Sequence, residues 1–317
     1  MIEVTDINKA VIEFINQNKS MKEICNELSI SQKQLYVRIR QLLNYGYQIS
    51  PSYNYNSDIY YKIEKGFVDL KNNEISIKFP KSKDTFKCLV ISDIHVGNVG
   101  YDVRLLNEVY EYAAKNSINI ILICGDMLEG VHSSDKKKIH DMYKQVEELI
   151  RQYPYDKNIM NFGILGNHDY HFLHYDGLDV LKWISNSRYD IVLLGYGEGL
   201  IKLKDDRILL HHNLSVIRNK DAYPEHKIIL SGHGHMMKSK LYDGLNLCVP
   251  TISHVYPDKT KDVLPGFIDL TLYIEKSRIA NVEAHHMIIT DKPYEASQTR
   301  CKIKALPRPK NTDEMEK

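Results

Sequence analysis

From residue 86 onward the chain alternates between short apolar runs and longer amphipathic stretches. The runs are "FKCLVIS" (86–92), "INIILIC" (118–124), "NIMNFGIL" (158–165), "DIVLLG" (190–195), "RILLH" (207–211) and "HKIILSG" (226–232). Short runs that stay apolar, without polar alternation, predict strands buried on both faces, and the helical spacing of 103–115 and 139–153 supplies the covering helices. Two later runs, "GFIDLTLYI" and "RIANVEAHHMII", alternate more and predict antiparallel edge or capping strands.

The first fifty residues have a different period. Ile7, Val11, Phe14 and Ile15 share one helical face. Ser20 with Glu23, and Ser31 with Gln34, are capping boxes that start a second and a third helix, and Gly46 ends the third. Two short helices across a tight turn predict a helix-turn-helix, and "YQIS" with "DIYYKI" predicts a β-hairpin wing. Between Leu28 and Ser57 there is no acidic residue, and Gln32, Tyr36 and Arg40 recur every fourth position opposite the apolar seam. With Lys33 and Arg38 they form a candidate nucleic-acid face; the alternative is a helical bundle docked on protein. The expected organisation is a winged helix-turn-helix over 1–65, a linker or connecting strands over 66–85, an α/β domain over 86–298, and a mobile, basic, Pro-containing tail over 299–317.

Composition narrows the setting. The 317 residues are 43% hydrophobic and 26% charged with a net charge of +1, so any pull on nucleic acid must be local. No apolar run approaches the ~20 residues that cross a bilayer, so no membrane partner is expected. The five cysteines are scattered without a CxxC pair, which predicts reduced thiols and a cytoplasmic protein.

The chemistry lies at the strand ends. In order they carry Asp93 and His95; Asp126; Asn167, His168 and Asp169; His211 and His212; and His233 and His235. Sheets of this kind bind ligands beyond the carboxyl ends of their strands. One carboxylate or imidazole there is unremarkable, whereas five consecutive ends delivering N and O donors predict one metal-binding rim. Donors without thiolate suit Mn²⁺, iron or Zn²⁺ rather than a closed structural zinc site.

"SDIHVG", "GDMLEG", "GNHD", "LLHH" and "GHGH" together resemble the ordered motifs of the calcineurin-like metallophosphoesterase superfamily, over roughly 86–285. The resemblance implies an α/β fold, a two-sheet sandwich flanked by helices, with two divalent metal ions. Mn²⁺ is the expected pair, with iron, Zn²⁺ or Mg²⁺ as alternatives. It implies that Asp93, His95 and His235 hold the first ion, that Asn167, His233 and a histidine of "LLHH" hold the second, and that Asp126 bridges them. His211 is the expected member of that pair because it directly ends the apolar run, with His212 as the alternative. His168 is expected to protonate the leaving group in catalysis, with Asp169 orienting its ring or raising its pKa.

Protein phosphatases of the superfamily resemble GDxxDRG, whose Arg grips a phosphomonoester dianion. Here Glu129-Gly130 occupies that stretch, and the motifs resemble the nuclease-like branch, meaning Mre11-type exonucleases and the small subunit of archaeal D-family DNA polymerases. The expected function is hydrolysis of phosphodiester bonds in DNA or RNA by a hydroxide shared between the metals. One alternative is a phosphatase or phosphodiesterase on nucleotides or another small molecule, its N-terminal module serving dimerisation or regulation. Another is a DNA-binding regulator with a vestigial metal site.

Overall fold

The computed structural model describes residues 6–44, 48–54, 59–64, 73–78, 84–131, 139, 141–176, 178–212, 228–241, 245–254 and 264–303. Strand β4 (Thr85–Ile91) shows why the central runs lack alternation. Phe86, Cys88 and Val90 enter a core between two sheets, whereas Leu89 and Ile91 enter a second core beneath helices. Successive side chains point to opposite faces, so a strand covered on both sides must be apolar throughout. β5 (Ile120–Cys124) repeats the division: Ile120 and Leu122 face the other sheet, Ile121 and Ile123 the helices. Each such side chain, fully buried, contributes about 1.5–3 kcal/mol.

β4, β5, β6 (Met160–Leu165) and β7 (Ile191–Tyr196) run parallel. β13 (Gly266–Glu275), β14 (Arg278–Ile289) and β15 (Pro293–Lys302) extend that sheet antiparallel beyond β4, giving the order β15-β14-β13-β4-β5-β6-β7. Helices α4 (Val103–Lys115), α5 (Met142–Gln152) and α7 (Val180–Ser187) place Leu106, Val109, Val146, Leu149 and Ile184 in the outer core. The facing sheet runs β11 (Lys238–Leu241), β12 (Leu245–Cys248), β10 (Ile228–Ser231), β9 (Asp206–His211), β8 (Glu198–Leu203), β3 (Glu74–Lys78), β1 (Gln48–Asn54) and β2 (Ile59–Glu64). This is the expected two-sheet sandwich.

The N-terminal segment forms α1 (Asp6–Asn16), α2 (Met21–Leu28) and α3 (Gln32–Asn44). Both capping boxes are made: Ser20 N–H donates to Glu23 Oε2 at 2.7 Å, and Ser31 N–H donates to Gln34 Oε1 at 2.8 Å. β1 and β2 pair antiparallel as the hairpin predicted for a wing. The hairpin does not stand apart, however. β1 pairs with β3, and β3 with β8. Val11, Ile24, Leu35 and Ile39 belong to the same contiguous core as the inter-sheet side chains.

The chain's last described strand also departs from expectation. Thr299–Lys302, read as the start of a mobile tail, is the end of β15, paired with β14 from Asn281 to Ala284. β15 is an edge strand exposed along most of its length, so it carries no apolar alternation that a sequence reading could detect. Residues 304–317 lie outside the described residues.

Candidate metal centre

Three of the loops that leave the two sheets at one end carry backbone that only a tightly held side chain tolerates. Asp93 (φ +57), His95 (+55), Asp126 (+50), His233 (+71) and His235 (+51) are all left-handed. For residues with a Cβ this costs roughly 1–3 kcal/mol each, and such strain concentrates at functional sites. Hydrogen bonds between loops hold the conformation: Asp93 N–H donates to Gly125 O (3.0 Å), Ile94 N–H to Asp126 O (2.8 Å) and His233 N–H to Asp93 Oδ2 (3.0 Å). Glycine is needed where the loops touch. A Cβ on Gly166 would lie 2.2 Å from Asp126 Oδ1, and one on Gly125 would lie 2.3 Å from His212 Nδ1.

The side chains gather in two clusters. Asp93, His95 and His235 bring one donor atom each within 4.8 Å of one another, as do Asp126, His212 and His233. His95, Asp126 and His168 form a third, overlapping set that links them. Asp93 (0% exposed), Asp126 (1%) and His95 (1%) are sealed from solvent.

The tautomers explain what belongs between these atoms. His212 Nδ1–H donates to Cys124 O at 2.6 Å, which turns its Nε2 to Asp126 Oδ2 at 2.9 Å. His95 Nδ1 lies 3.0 Å from Glu129 Oε2, while its Nε2 faces His235 Nε2 at 3.2 Å, and His235 Nε2 is also 3.2 Å from Asp93 Oδ1. Ring nitrogens and carboxylate oxygens this close in a buried site need a proton or a cation between them. Adjacent ligands around an ion with ~2.1 Å bonds are separated by about 3 Å, so the donor set fits divalent cations.

Electrostatics agree. Burial alone would raise the Asp93 pKa, but His235 and His212 outweigh it and hold it down to about 2. Burial opposes protonation of His212, yet Asp126 and Asp93 push its pKa up to about 10. Asp126 is held far below the usual carboxylate range by His212 despite burial. The site is built to keep its carboxylates ionised and to attract positive charge.

It is His212, not the expected His211, that reaches Asp126. Ile208 and Leu210 of β9 face the inter-sheet core. Two further residues along, His212 points the same way, whereas His211 shares the opposite face with Leu209 and sits in the ladder opposite Glu198 and Ser231. Asn167 begins α6 (Asn167–Asp176), where the next N–H, that of His168, donates to Asp126 Oδ1 at 2.9 Å.

His168 lies beside the cluster, its ring centroid 4.7 Å from that of His95 and its Nε2 3.9 Å from Asp126 Oδ2. Burial lowers its pKa to about 4. Asp169 does not orient it. One residue on, the helix turns the carboxylate away, and it accepts N–H bonds from Leu128 (2.8 Å), Gly166 (2.8 Å) and Met127 (3.2 Å). Burial, then the charge of Asp126, raises its pKa to about 7 against the pull of those donors. The partner of His168 is Glu129, whose carbonyl accepts from Nδ1 at 2.8 Å. Sequence reasoning assigned Glu129 no such part, and an isolated acid inside "GDMLEG" gives no signal of it.

Of the candidate nucleic-acid face, the structure describes the side chains of Gln32 and Arg38. Half-buried Gln32 lines a crevice with Tyr155, Asp156, Lys157, Tyr189 and Asp190, against the starts of β6 and β7 and so at the end of the sheet opposite the metals. Arg38 is half-buried, and the side chains of Lys33, Tyr36 and Arg40 lie outside the described residues.

A family model described as calcineurin-like phosphoesterase matches residues 86–249, the segment that carries both clusters. The chain belongs to that family, whose members are phosphoester hydrolases dependent on a dinuclear metal centre. Over 104 residues it is 30% identical to the double-strand break repair protein MRE11 of Gallus gallus, a stretch covering 31% of this chain and 14% of that relative. Among solved structures, an archaeal phosphodiesterase superposes with a TM-score of 0.42 at 13% identity, over 64% of this chain and 100% of its own. The E. coli phosphoesterase YfcE gives 0.42 at 16% identity, over 69% and 100%. Among the described residues no helix is long and apolar enough to cross a membrane.

Proposed function

We propose that the chain is a nuclease-like phosphodiesterase, acting on DNA or RNA with two divalent cations, Mn²⁺ foremost. Asp93, His95 and His235 would hold one ion, and Asn167, His212 and His233 the other, with Asp126 between them. Bound there, the cations would lower the pKa of a shared water and offset charge on the phosphoryl oxygens.

The chain's own groups do the rest. Cys124 O accepts from His212 Nδ1–H, and the Glu129 carboxylate stands 3.0 Å from His95 Nδ1, so both Nε2 atoms face inward. His168 Nδ1–H is committed to Glu129 O, which leaves Nε2 as the atom that hands a proton to the leaving oxygen. An anionic phosphoryl group arriving beside Nε2 raises the affinity of that imidazole for the proton.

The observation that carries the diester reading is Glu129: a carboxylate 4% exposed stands in the stretch where the superfamily's phosphatases resemble an Arg-bearing motif. A negative group near the reacting phosphorus disfavours a dianionic monoester more than a monoanionic diester. The likeness to a segment of MRE11 supports nucleic acid as substrate.

A second reading, a nucleotide or small-molecule phosphoesterase, is favoured by the crevice at Gln32, which turns the start of α3 towards protein. In helix-turn-helix proteins that end of the helix reads bases. The Mn²⁺-loaded protein should be compared on bis-p-nitrophenyl phosphate, p-nitrophenyl phosphate, single- and double-stranded DNA, RNA and a cyclic dinucleotide. Diester preference with polymer degradation supports the first reading. Monoester preference without polymer cleavage supports the second.

A further inference from the structure

Asp93 contributes to the first cluster through Oδ1 and supports His233 of the second through Oδ2, yet its backbone is left-handed at φ +57. The bonds to Gly125 and His233 hold its nitrogen and its carboxylate but leave its carbonyl oxygen unaccounted for. The answer lies 158 residues away in sequence, beyond the segment matched by the family. Thr251 Oγ1–H donates to Asp93 O at 2.8 Å, and Ser253 Oγ–H donates to the same oxygen at 3.0 Å. The two hydroxyl oxygens are 2.8 Å apart, and Ser253 N–H donates to Thr251 Oγ1 at 3.2 Å. Both residues are 0% exposed, so neither hydroxyl is there for solubility.

The turn carrying them is anchored on both sides. Thr251 forms a parallel bridge with Ser92, Ile252 N–H donates to Ser92 O at 2.9 Å, and Gly266 N–H at the start of β13 donates to Thr251 O at 2.8 Å. A carbonyl oxygen has two lone pairs, and here two buried hydroxyls occupy them. Rotation of the Asp93 peptide plane would break both bonds inside a dry core, where unmade hydrogen bonds are most costly.

We propose that Thr251 and Ser253 are positioning residues of the metal centre: they lock the Asp93 peptide so that its carboxylate faces both clusters. This rests on the metal-centre reading above. Neither hydroxyl belongs to the candidate donor clusters. Their effect passes through Asp93, and loss of such outer contacts typically lowers metal affinity about 10- to 100-fold.

The test is Mn²⁺ binding to chelator-stripped protein by calorimetry, for wild type, Thr251→Ser, Thr251→Val, Ser253→Ala and the Thr251→Val/Ser253→Ala pair, each checked by circular dichroism and thermal melting. Wild type should bind two ions and Thr251→Ser should match it. Thr251→Val and Ser253→Ala should each weaken at least one ion, and the pair should weaken it further. If the pair does not fold, the single variants decide. Thr251→Val and Ser253→Ala binding both ions at wild-type affinity would overturn the proposal, as would Thr251→Ser losing as much as Thr251→Val. Wild type binding no ion would instead overturn the metal-centre reading itself.

Discussion

Glu129 Oε2 lies 3.0 Å from His95 Nδ1, and both residues are buried, so one carboxylate sits behind the ring whose Nε2 turns to the candidate cluster. The backbone carbonyl of the same residue fixes the ring of His168. His95 holds the Glu129 pKa below the usual carboxylate range against its burial, which keeps the pair charge-assisted.

Glu129→Gln therefore should fold normally and bind metal about 10- to 100-fold more weakly, because the amide stands beside His95 without the charge. Titration of Mn²⁺ against a competing chelator reads this directly. If Glu129 also sets substrate charge, the ratio of monoester to diester turnover rises in the same variant.

His211 and His212 should separate cleanly. His212→Ala is expected to abolish hydrolysis through metal loss, whereas His211→Ala keeps both ions, since its side chain leaves the other face of β9. Metal content by atomic emission after gel filtration distinguishes them.

His168→Ala should retain metal and lose about 10²- to 10⁴-fold in turnover on alkyl diesters, with a much smaller loss on nitrophenyl esters whose leaving group needs no proton. Asp169→Ala should behave otherwise. It strips three buried N–H groups of their acceptor, so it is expected to lower the unfolding free energy by several kcal/mol. Chemical denaturation measures that loss.

A pH effect independent of the metals comes from Tyr110 and Tyr153, whose hydroxyls donate to Asn161 Oδ1 at 3.2 and 3.0 Å. Burial raises both phenol pKa values above their ordinary range. A raised pKa stabilises the folded state below the unfolded value of about 10 and loses that contribution as pH climbs past it. Thermal melts between pH 8 and 11 should show falling stability above 10, and the Tyr110→Phe/Tyr153→Phe pair should flatten the fall.

Much of this was readable in the chain. Strands buried on both faces and capping boxes at Ser20 and Ser31 are local patterns, and five chemically loaded strand ends in order specify a shared rim. What escaped was non-local. In "RILLHH" the three positions between Arg207 and the histidines are all apolar, so no alternation tells which of the two faces the core. That follows only from the pairing of β9 with its neighbours. Asp169 reads as a catalytic acid because it adjoins His168, but helical geometry sends adjacent side chains apart. Thr251 and Ser253 are two hydroxyls in a turn with no motif around them. The five residues of β3 pair with β1 and β8, joining the hairpin to the main sheet, and so short a run predicts no such role.

The central claim is that Asp93, His95 and His235, together with Asp126, His212 and His233, hold a pair of cations. An anomalous difference map from a Mn²⁺-soaked crystal tests it most directly. Two peaks about 3.5–4 Å apart, one against each trio with Asp126 reaching both, are the predicted result. No peak among these side chains, or a single peak that His211 rather than His212 contacts, would contradict it.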